Sequence, residues 1–97
     1  MAFVVAATWK AKPGEEERIR EVIRLMTPLS RNEPGNLFYQ AQVSSRDHAK
    51  FFLYEQYANA QAYEDHKASA YFQTHVFGYA IRYLESREVG TYETIEG

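Results

Sequence analysis

Two ionisable side chains, His66 and Glu55, stand among apolar neighbours, where proton-transfer chemistry is most easily built. An imidazole in an apolar pocket can take up or hold a proton near neutral pH. Glu55 interrupts an apolar run that contains Leu53, Tyr54 and Tyr57, and a buried carboxylate is costly unless a donor pairs with it. We therefore predict that Glu55 meets a donor, namely His66, a tyrosine hydroxyl or an arginine. The alternative is structural, with His66 bonded to a backbone carbonyl or a carboxylate in the core.

Other kinds of site have little support in the sequence. The chain contains no glycine-rich phosphate loop, no HExxH zinc motif and no GxSxG nucleophile motif. The three histidines, His48, His66 and His75, are not spaced as metal ligands on one helix face. The absence of cysteine excludes disulfides and thiolate chemistry. We therefore predict no metal site, and an acid–base mechanism if the protein is an enzyme.

Length and charge narrow the class of protein further. Residues 1–97 have the length of one domain. The net charge is −2 with scattered basic residues, which predicts no nucleic-acid partner. The N-terminal apolar run is too short to span a membrane and lacks a basic leader, so we predict a soluble, cytoplasmic protein with no membrane partner. Aromatic residues make up 15% of the chain, including eight tyrosines, which suits interfaces and pockets for ring-shaped ligands, although half-buried strands also favour tyrosine.

Hydrophobic periodicity predicts how these side chains are positioned. Alternating or continuous apolar runs indicate strands, and apolar residues three and four apart indicate helices. The predicted elements are a strand over 3–10, a helix from 15 to about 29, strands over 37–43 and 50–57, a helix from 60 to 66 capped by Asn59, a helical stretch over 71–84 and a strand over 87–95.

This order predicts the fold class and a partner. A βαββαβ order gives an α+β, ferredoxin-like fold whose four-stranded antiparallel sheet carries its helices on one face. The opposite face would be bare in a monomer. Two such sheets packed face to face would cover it, so we predict a homodimer.

Several short motifs together are similar to one known family. They are Lys12-Pro13-Gly14-Glu15-Glu16-Glu17, Glu33-Pro34-Gly35-Asn36, Phe51-Phe52-Leu53-Tyr54-Glu55, Ala62-Tyr63-Glu64-Asp65-His66 and Ser69-Ala70-Tyr71-Phe72. In order and spacing they resemble the antibiotic biosynthesis monooxygenase family over nearly the whole chain. The resemblance implies a dimeric α+β barrel and a ligand pocket between sheet and helices.

The resemblance also implies chemistry and roles. Members such as quinol monooxygenases and polyketide-anthrone oxygenases use no flavin, haem or metal, so the expected cofactor is none. The recurrent family histidine matches His66, and the family's strand glutamate matches Glu55. The haem-degrading branch of the family has an Asn on its first strand, and no Asn occurs among Val5, Ala6, Ala7 and Thr8. This argues against haem degradation and leaves haem binding through His66 open.

The leading hypothesis is a cofactor-independent monooxygenase that oxidises a quinol, phenol or anthrone. His66 would move the proton and Glu55 would orient the imidazole. The predicted substrate-binding residues are Trp9, Tyr39, Tyr54, Tyr63, Phe72 and Tyr79, all but Trp9 forming a wall that excludes water. The alternatives are an isomerase or tautomerase of a small hydroxycarbonyl compound in the same pocket, and a ligand-binding dimer without turnover. Strand parity decides which aromatic residues face the pocket.

Overall fold

The computed structural model describes residues 1–96 and contains the predicted βαββαβ order. Its elements are β1 (Phe3–Ala11), α1 (Glu16–Arg31), β2 (Asn36–Val43), β3 (Lys50–Tyr57), α2 (Ala60–Ala68), α3 (Ala70–Phe72), a π-helical turn (Gln73–Phe77), a 3₁₀ turn (Ala80–Tyr83) and β4 (Leu84–Glu93). The fold is α+β and ferredoxin-like, as predicted.

The four strands form one antiparallel sheet in the order β2-β3-β1-β4. Register places Val5 opposite Glu55 on β3 and opposite Thr91 on β4. Side chains alternate between the two faces of a strand, so the odd-numbered residues of β1 and β3 share one face. That face carries most of the sheet's buried side chains: Val5, Ala7, Trp9, Ala11, Phe51, Leu53, Glu55 and Tyr57.

Helix α1 covers part of this face because its apolar residues recur on one side. Acidic Glu16 and Glu17 occupy its first turn, where the positive end of the helix dipole favours them. Its buried residues, which pack into the core, are Ile19, Val22, Ile23, Met26 and Ser30.

The helical stretch predicted over 71–84 is divided into several short turns in the structure. The break between the two predicted helical segments is confirmed: Ser69 is extended and its hydroxyl caps the backbone N–H of Phe72, so the chain starts a new helix there. The π-turn then ends at Gly78, whose N–H donates to the Gln73 carbonyl at 2.8 Å. A Cβ on Gly78 would lie 2.5 Å from the Thr74 carbonyl oxygen. The backbone closure that breaks the helical period therefore requires glycine.

The opposite face of the sheet carries large apolar side chains that remain exposed. Phe38 is 46% exposed, Phe52 is 40% exposed and Tyr92 is 59% exposed. Within residues 1–96, no helix has the length and apolar character needed to cross a membrane.

Candidate active site

His66 lies on α2 and points into the layer between sheet and helices. The Asn59 side chain accepts the Ala62 N–H at 2.9 Å and begins the helix as predicted. The imidazole is 2% exposed, and its centroid lies 5.0 Å from that of Phe72 and 5.5 Å from that of Tyr57. Aromatic rings therefore pack around the imidazole, and Tyr63 is the other buried side chain of this helix.

Glu33 holds the imidazole from the side opposite the sheet. Both of its carboxylate oxygens lie 3.0 Å from His66 Nδ1, and one of them accepts a hydrogen bond from the Tyr71 hydroxyl. An ionised carboxylate can only accept, so Nδ1 carries the proton in this arrangement. Burial lowers the pKa of His66, with Glu33 opposing the change. The neutral imidazole that results has its lone pair on Nε2, directed away from Glu33.

The turn that carries Glu33 is pinned against α2 by close packing. The Ala58 N–H donates to the Gly35 carbonyl at 2.9 Å. A Cβ on Gly35 would lie 2.4 Å from the Ala62 Cβ, so this approach requires glycine. The distance between Glu33 and His66 therefore follows from the contact between turn and helix.

Glu55 lies on the sheet side of the same imidazole and is 5% exposed. The Tyr57 hydroxyl donates to its Oε1 at 2.5 Å. Of the three kinds of donor predicted for Glu55, the structure therefore shows a tyrosine hydroxyl. Burial raises the pKa of Glu55 to about 7, against the lowering effect of the Tyr57 hydrogen bond. Its Oε1 is 3.9 Å from His66 Nε2, too far for a hydrogen bond. The prediction that Glu55 orients His66 is therefore corrected: the carboxylate bonded to the imidazole is that of Glu33.

A small cavity lies between Glu55, His66 and the sheet. Its volume is about 20 Å³, enough for one water-sized group. It is lined by Val5, Ala7, Trp9, Met26, Tyr39, Leu53, Glu55, Tyr63, His66, Phe72, Arg87 and Val89. The predicted catalytic pair and four of the predicted substrate-binding residues, Trp9, Tyr39, Tyr63 and Phe72, thus meet at one place.

Two of the predicted substrate-binding residues lie elsewhere. Tyr54 occupies the opposite face of the sheet, where its hydroxyl accepts from Gln56 Nε2 at 3.0 Å, because Glu55 and not Tyr54 has the inward parity on β3. Tyr79 lies outside the cavity and its hydroxyl accepts from Arg18 Nη1 at 2.6 Å. The π-turn shifts it away from the direction that a continuous helix would give it. The placement of both residues at this pocket is corrected.

Three residues at the site were missed by the sequence analysis. Glu33 and Tyr71 hold His66, and Arg87 lines the cavity opposite Trp9 on the neighbouring strand. Glu33 and Tyr71 belong to motifs that were noted for other reasons. Arg87 carries no signal in the sequence, because its inward orientation follows only from the β1–β4 register.

One wall of the cavity contains buried hydrogen-bond donors without acceptors. Neither Trp9 Nε1 nor Arg87 Nε has an acceptor within residues 1–96, and both atoms are buried. A third such donor, Asn36 Nδ2, belongs to a residue that does not line this cavity. In the part of the chain that the structure describes, no three His, Asp or Glu side chains are grouped as metal ligands.

Comparison with known proteins identifies the family. A model of the antibiotic biosynthesis monooxygenase family matches residues 2–76. The chain belongs to this family. The resemblance inferred from the motifs is thereby confirmed.

Solved structures have the same fold. A protein from Pseudomonas aeruginosa is 24% identical, with 98% of this chain and 95% of that chain covered and a TM-score of 0.91. A protein from Mycobacterium tuberculosis is 18% identical, with 100% and 98% covered and a TM-score of 0.92. A Nitrosomonas europaea protein, provisionally named an antibiotic biosynthesis monooxygenase, is 25% identical, with 97% and 99% covered and a TM-score of 0.90. A search of curated proteins found no match.

Proposed function

We propose that this protein is a cofactor-independent monooxygenase that oxidises a small electron-rich quinol, phenol or anthrone with molecular oxygen. The observation that carries the proposal is the buried imidazole of His66, whose Nδ1 is held by Glu33 and whose Nε2 lies beside a cavity. Family membership supports the same reaction class.

His66 is the proposed general base. Its lowered pKa keeps the imidazole neutral near pH 7, so Nε2 can accept a proton from an acidic hydroxyl or methylene group of the substrate. The Glu33 carboxylate then stabilises the imidazolium that forms, as in other carboxylate–imidazole pairs. Glu55, with a pKa of about 7, lines the same cavity and can exchange a proton with a substrate bound there.

Deprotonation makes the substrate electron-rich enough to reduce oxygen itself. The carbanion or phenolate passes one electron to O₂, and the substrate radical and superoxide combine to a peroxide anion. This anion takes back the proton that His66 accepted and becomes a hydroperoxide. Loss of water from that hydroperoxide leaves a carbonyl group, so an anthrone methylene plus O₂ gives a ketone plus H₂O. The apolar lining of the cavity keeps water away from these charged species.

The substrate ring requires the cavity to enlarge. About 20 Å³ accommodates one oxygen-sized group and no ring. Val89, on the β4 side of the cavity, is 39% exposed, and Arg87 on the same strand lies over the ring of Phe77, which belongs to the irregular segment from Ala70 to Tyr83. We propose that the ring enters along β4, because few regular backbone hydrogen bonds must break there.

The deciding experiment is oxygen consumption with a panel of quinols and anthrones, corrected for autoxidation. We expect saturable uptake by the wild type and a fall of about 10²-fold or more in His66→Ala. His75→Ala is the matched control, because His75 does not line the cavity. Uptake that survives His66→Ala removes His66 from the mechanism. Turnover that persists without oxygen favours the isomerase, and ligand binding without turnover favours a binding protein.

We also propose that the working form is a homodimer joined through the open sheet face. Phe38, Phe52 and Tyr92 form an apolar surface there of the kind that marks protein interfaces. Phe52→Glu should convert the dimer to a monomer in light scattering after gel filtration. Phe77→Glu is the control, since Phe77 is 42% exposed but lies in the π-turn, away from that face. A monomeric wild type would contradict the proposal.

A further inference from the structure

The proton transfer proposed above makes no use of two buried N–H groups on one wall of the cavity. Trp9 Nε1 and Arg87 Nε have no acceptor within residues 1–96. Trp9 and Arg87 are direct partners in the β1–β4 register, and Arg87 Cζ lies 6.0 Å from the centre of a Trp9 ring. A buried donor without a partner is costly to the fold. A ligand that accepts from both groups would remove that cost.

The charge at this wall specifies the kind of acceptor. The arginine guanidinium is ionised at every physiological pH. No carboxylate of residues 1–96 forms an ion pair with Arg87. Glu55 lines the same cavity, but it is not among the groups within ion-pair distance of the guanidinium. A cation that is only partly desolvated and has no paired carboxylate favours an anionic ligand.

The size of the cavity specifies how many oxygen atoms that anion presents. About 20 Å³ holds one water-sized group, which suits the single oxygen of an ionised hydroxyl better than the two oxygens of a carboxylate. The neighbouring side chains are apolar or aromatic, including Leu53, Tyr63 and Phe72. A ring or a conjugated chain attached to that oxygen would contact them.

We propose that Trp9 and Arg87 bind the ionised oxygen of a phenol or enol, so that the substrate class is one with an acidic hydroxyl conjugated to the reacting carbon. The assignment rests on the proposed function, because it concerns the same cavity. It adds an oxyanion site on the wall that β1 and β4 form. Charge that develops when His66 removes the proton would be stabilised there by two fixed donors.

The test measures binding of 4-nitrophenol under anaerobic conditions, where no oxidation can occur. Its phenol and phenolate forms absorb differently, so the spectrum reports the ionisation state of the bound probe. We expect the wild type to bind the phenolate about tenfold or more tightly than the phenol, which lowers the pKa of the bound probe by about one. Arg87→Met and Trp9→Phe should each lose most of this preference. Arg82→Met is the control, because Arg82 does not line the cavity.

The outcomes separate this assignment from the proposed function. No binding of 4-nitrophenol at millimolar concentration, no preference for the phenolate, or tighter binding of 4-nitrobenzoate would overturn it. Retention of the preference in Arg87→Met would also overturn it, and this variant decides alone if Trp9→Phe does not fold. Preferential phenolate binding without oxygen uptake would refute the monooxygenase and leave the oxyanion site in place.

Discussion

The two sides of the central cavity differ in how completely their polar groups are paired. On the side of α2, His66 is bonded to Glu33, and Tyr71 donates to the same carboxylate. On the side of β1 and β4, Trp9 and Arg87 each carry a buried N–H without an acceptor in residues 1–96. The first group of residues is ordered by the protein itself, and the second is left to be completed by a ligand.

This difference separates groups that must be in place before the reaction from groups that act on it. A general base works only when its tautomer and direction are fixed in advance, and the two 3.0 Å contacts at Nδ1 would fix both for the role that we propose for His66. Donors for a substrate oxygen must stay free until the substrate arrives. Glu55 lies between the two sides, with one internal bond from Tyr57 and a pKa near 7.

The largest expected effect is on the rate of oxygen uptake, when the bond between Glu33 and His66 on the α2 side of the cavity is weakened. Glu33→Gln removes the charge that stabilises the His66 imidazolium, so we expect kcat for oxygen uptake to fall by about 10²- to 10³-fold. The pKa of His66 should fall further, since Glu33 raises it against the effect of burial. The rate is measured by oxygen uptake and the pKa by NMR titration of the imidazole.

Glu64→Gln provides the control for that variant. Glu64 lies on α2, the helix that carries His66. Its side chain is 60% exposed and pairs with Lys67 on the surface. An unchanged His66 pKa in Glu33→Gln, together with an unchanged rate, would show that the carboxylate does not position the imidazole.

The order of strands and helices could be predicted from the sequence. The residues that line the cavity could be predicted only in part. Alternation and helical periodicity are local properties, and they predicted the four strands, α1 and the start of α2. The π-turn that displaces Tyr79 is set by a backbone contact at Gly78, which leaves the hydrophobic pattern unchanged. A periodicity argument therefore placed Tyr79 on the wrong side.

Long-range contacts account for the other differences. Glu33 contacts His66 although 33 positions separate them in the sequence. The residues around Glu33 have the composition of a turn, and that composition does not indicate whether the carboxylate points inward. The choice between Tyr54 and Glu55 depended on strand parity, which the pairing of Val5 with Glu55 decides. Arg87 depended on the register of the last strand in the same way.

The second prediction concerns Glu55, which lies between the two sides of the cavity, and the pH dependence that it gives to the stability of the fold. Its pKa is raised from 4.5 to about 7 in the folded protein, so its contribution to stability is fully present below pH 4.5 and is lost as the pH rises through 7. Tyr57 donates to it, the Glu33 charge raises its pKa and the Arg87 charge lowers it. Glu55→Gln has no such titration, so its free energy of unfolding should rise relative to wild type between these pH values, on the order of 2–3 kcal/mol.

Urea unfolding at pH 4.5, 6 and 8 measures this change. The lowered pKa of His66 acts in the opposite direction, with stability lost as the pH falls below about 6.5. His66 remains in both proteins, so its contribution largely cancels in the difference between them. Parallel stability curves for wild type and Glu55→Gln would mean that the carboxylate keeps an ordinary pKa.

The smallest expected effect is a change in the free energy of unfolding. Its sign should differ between a substitution on the β1–β4 side of the cavity and one on the α2 side. Arg87→Met removes a buried N–H that has no acceptor within residues 1–96 and keeps an apolar stem against Trp9 and Phe77. We expect the free energy of unfolding to stay level or to rise by about 1 kcal/mol. Tyr71→Phe removes a hydroxyl that is bonded to Glu33, and we expect a loss of about 1 kcal/mol. Thermal or urea unfolding of the two variants without ligand gives both values. If both substitutions are destabilising, Arg87 makes a stabilising contact within the protein. The wall that β1 and β4 form would then serve the stability of the fold and would not bind the substrate.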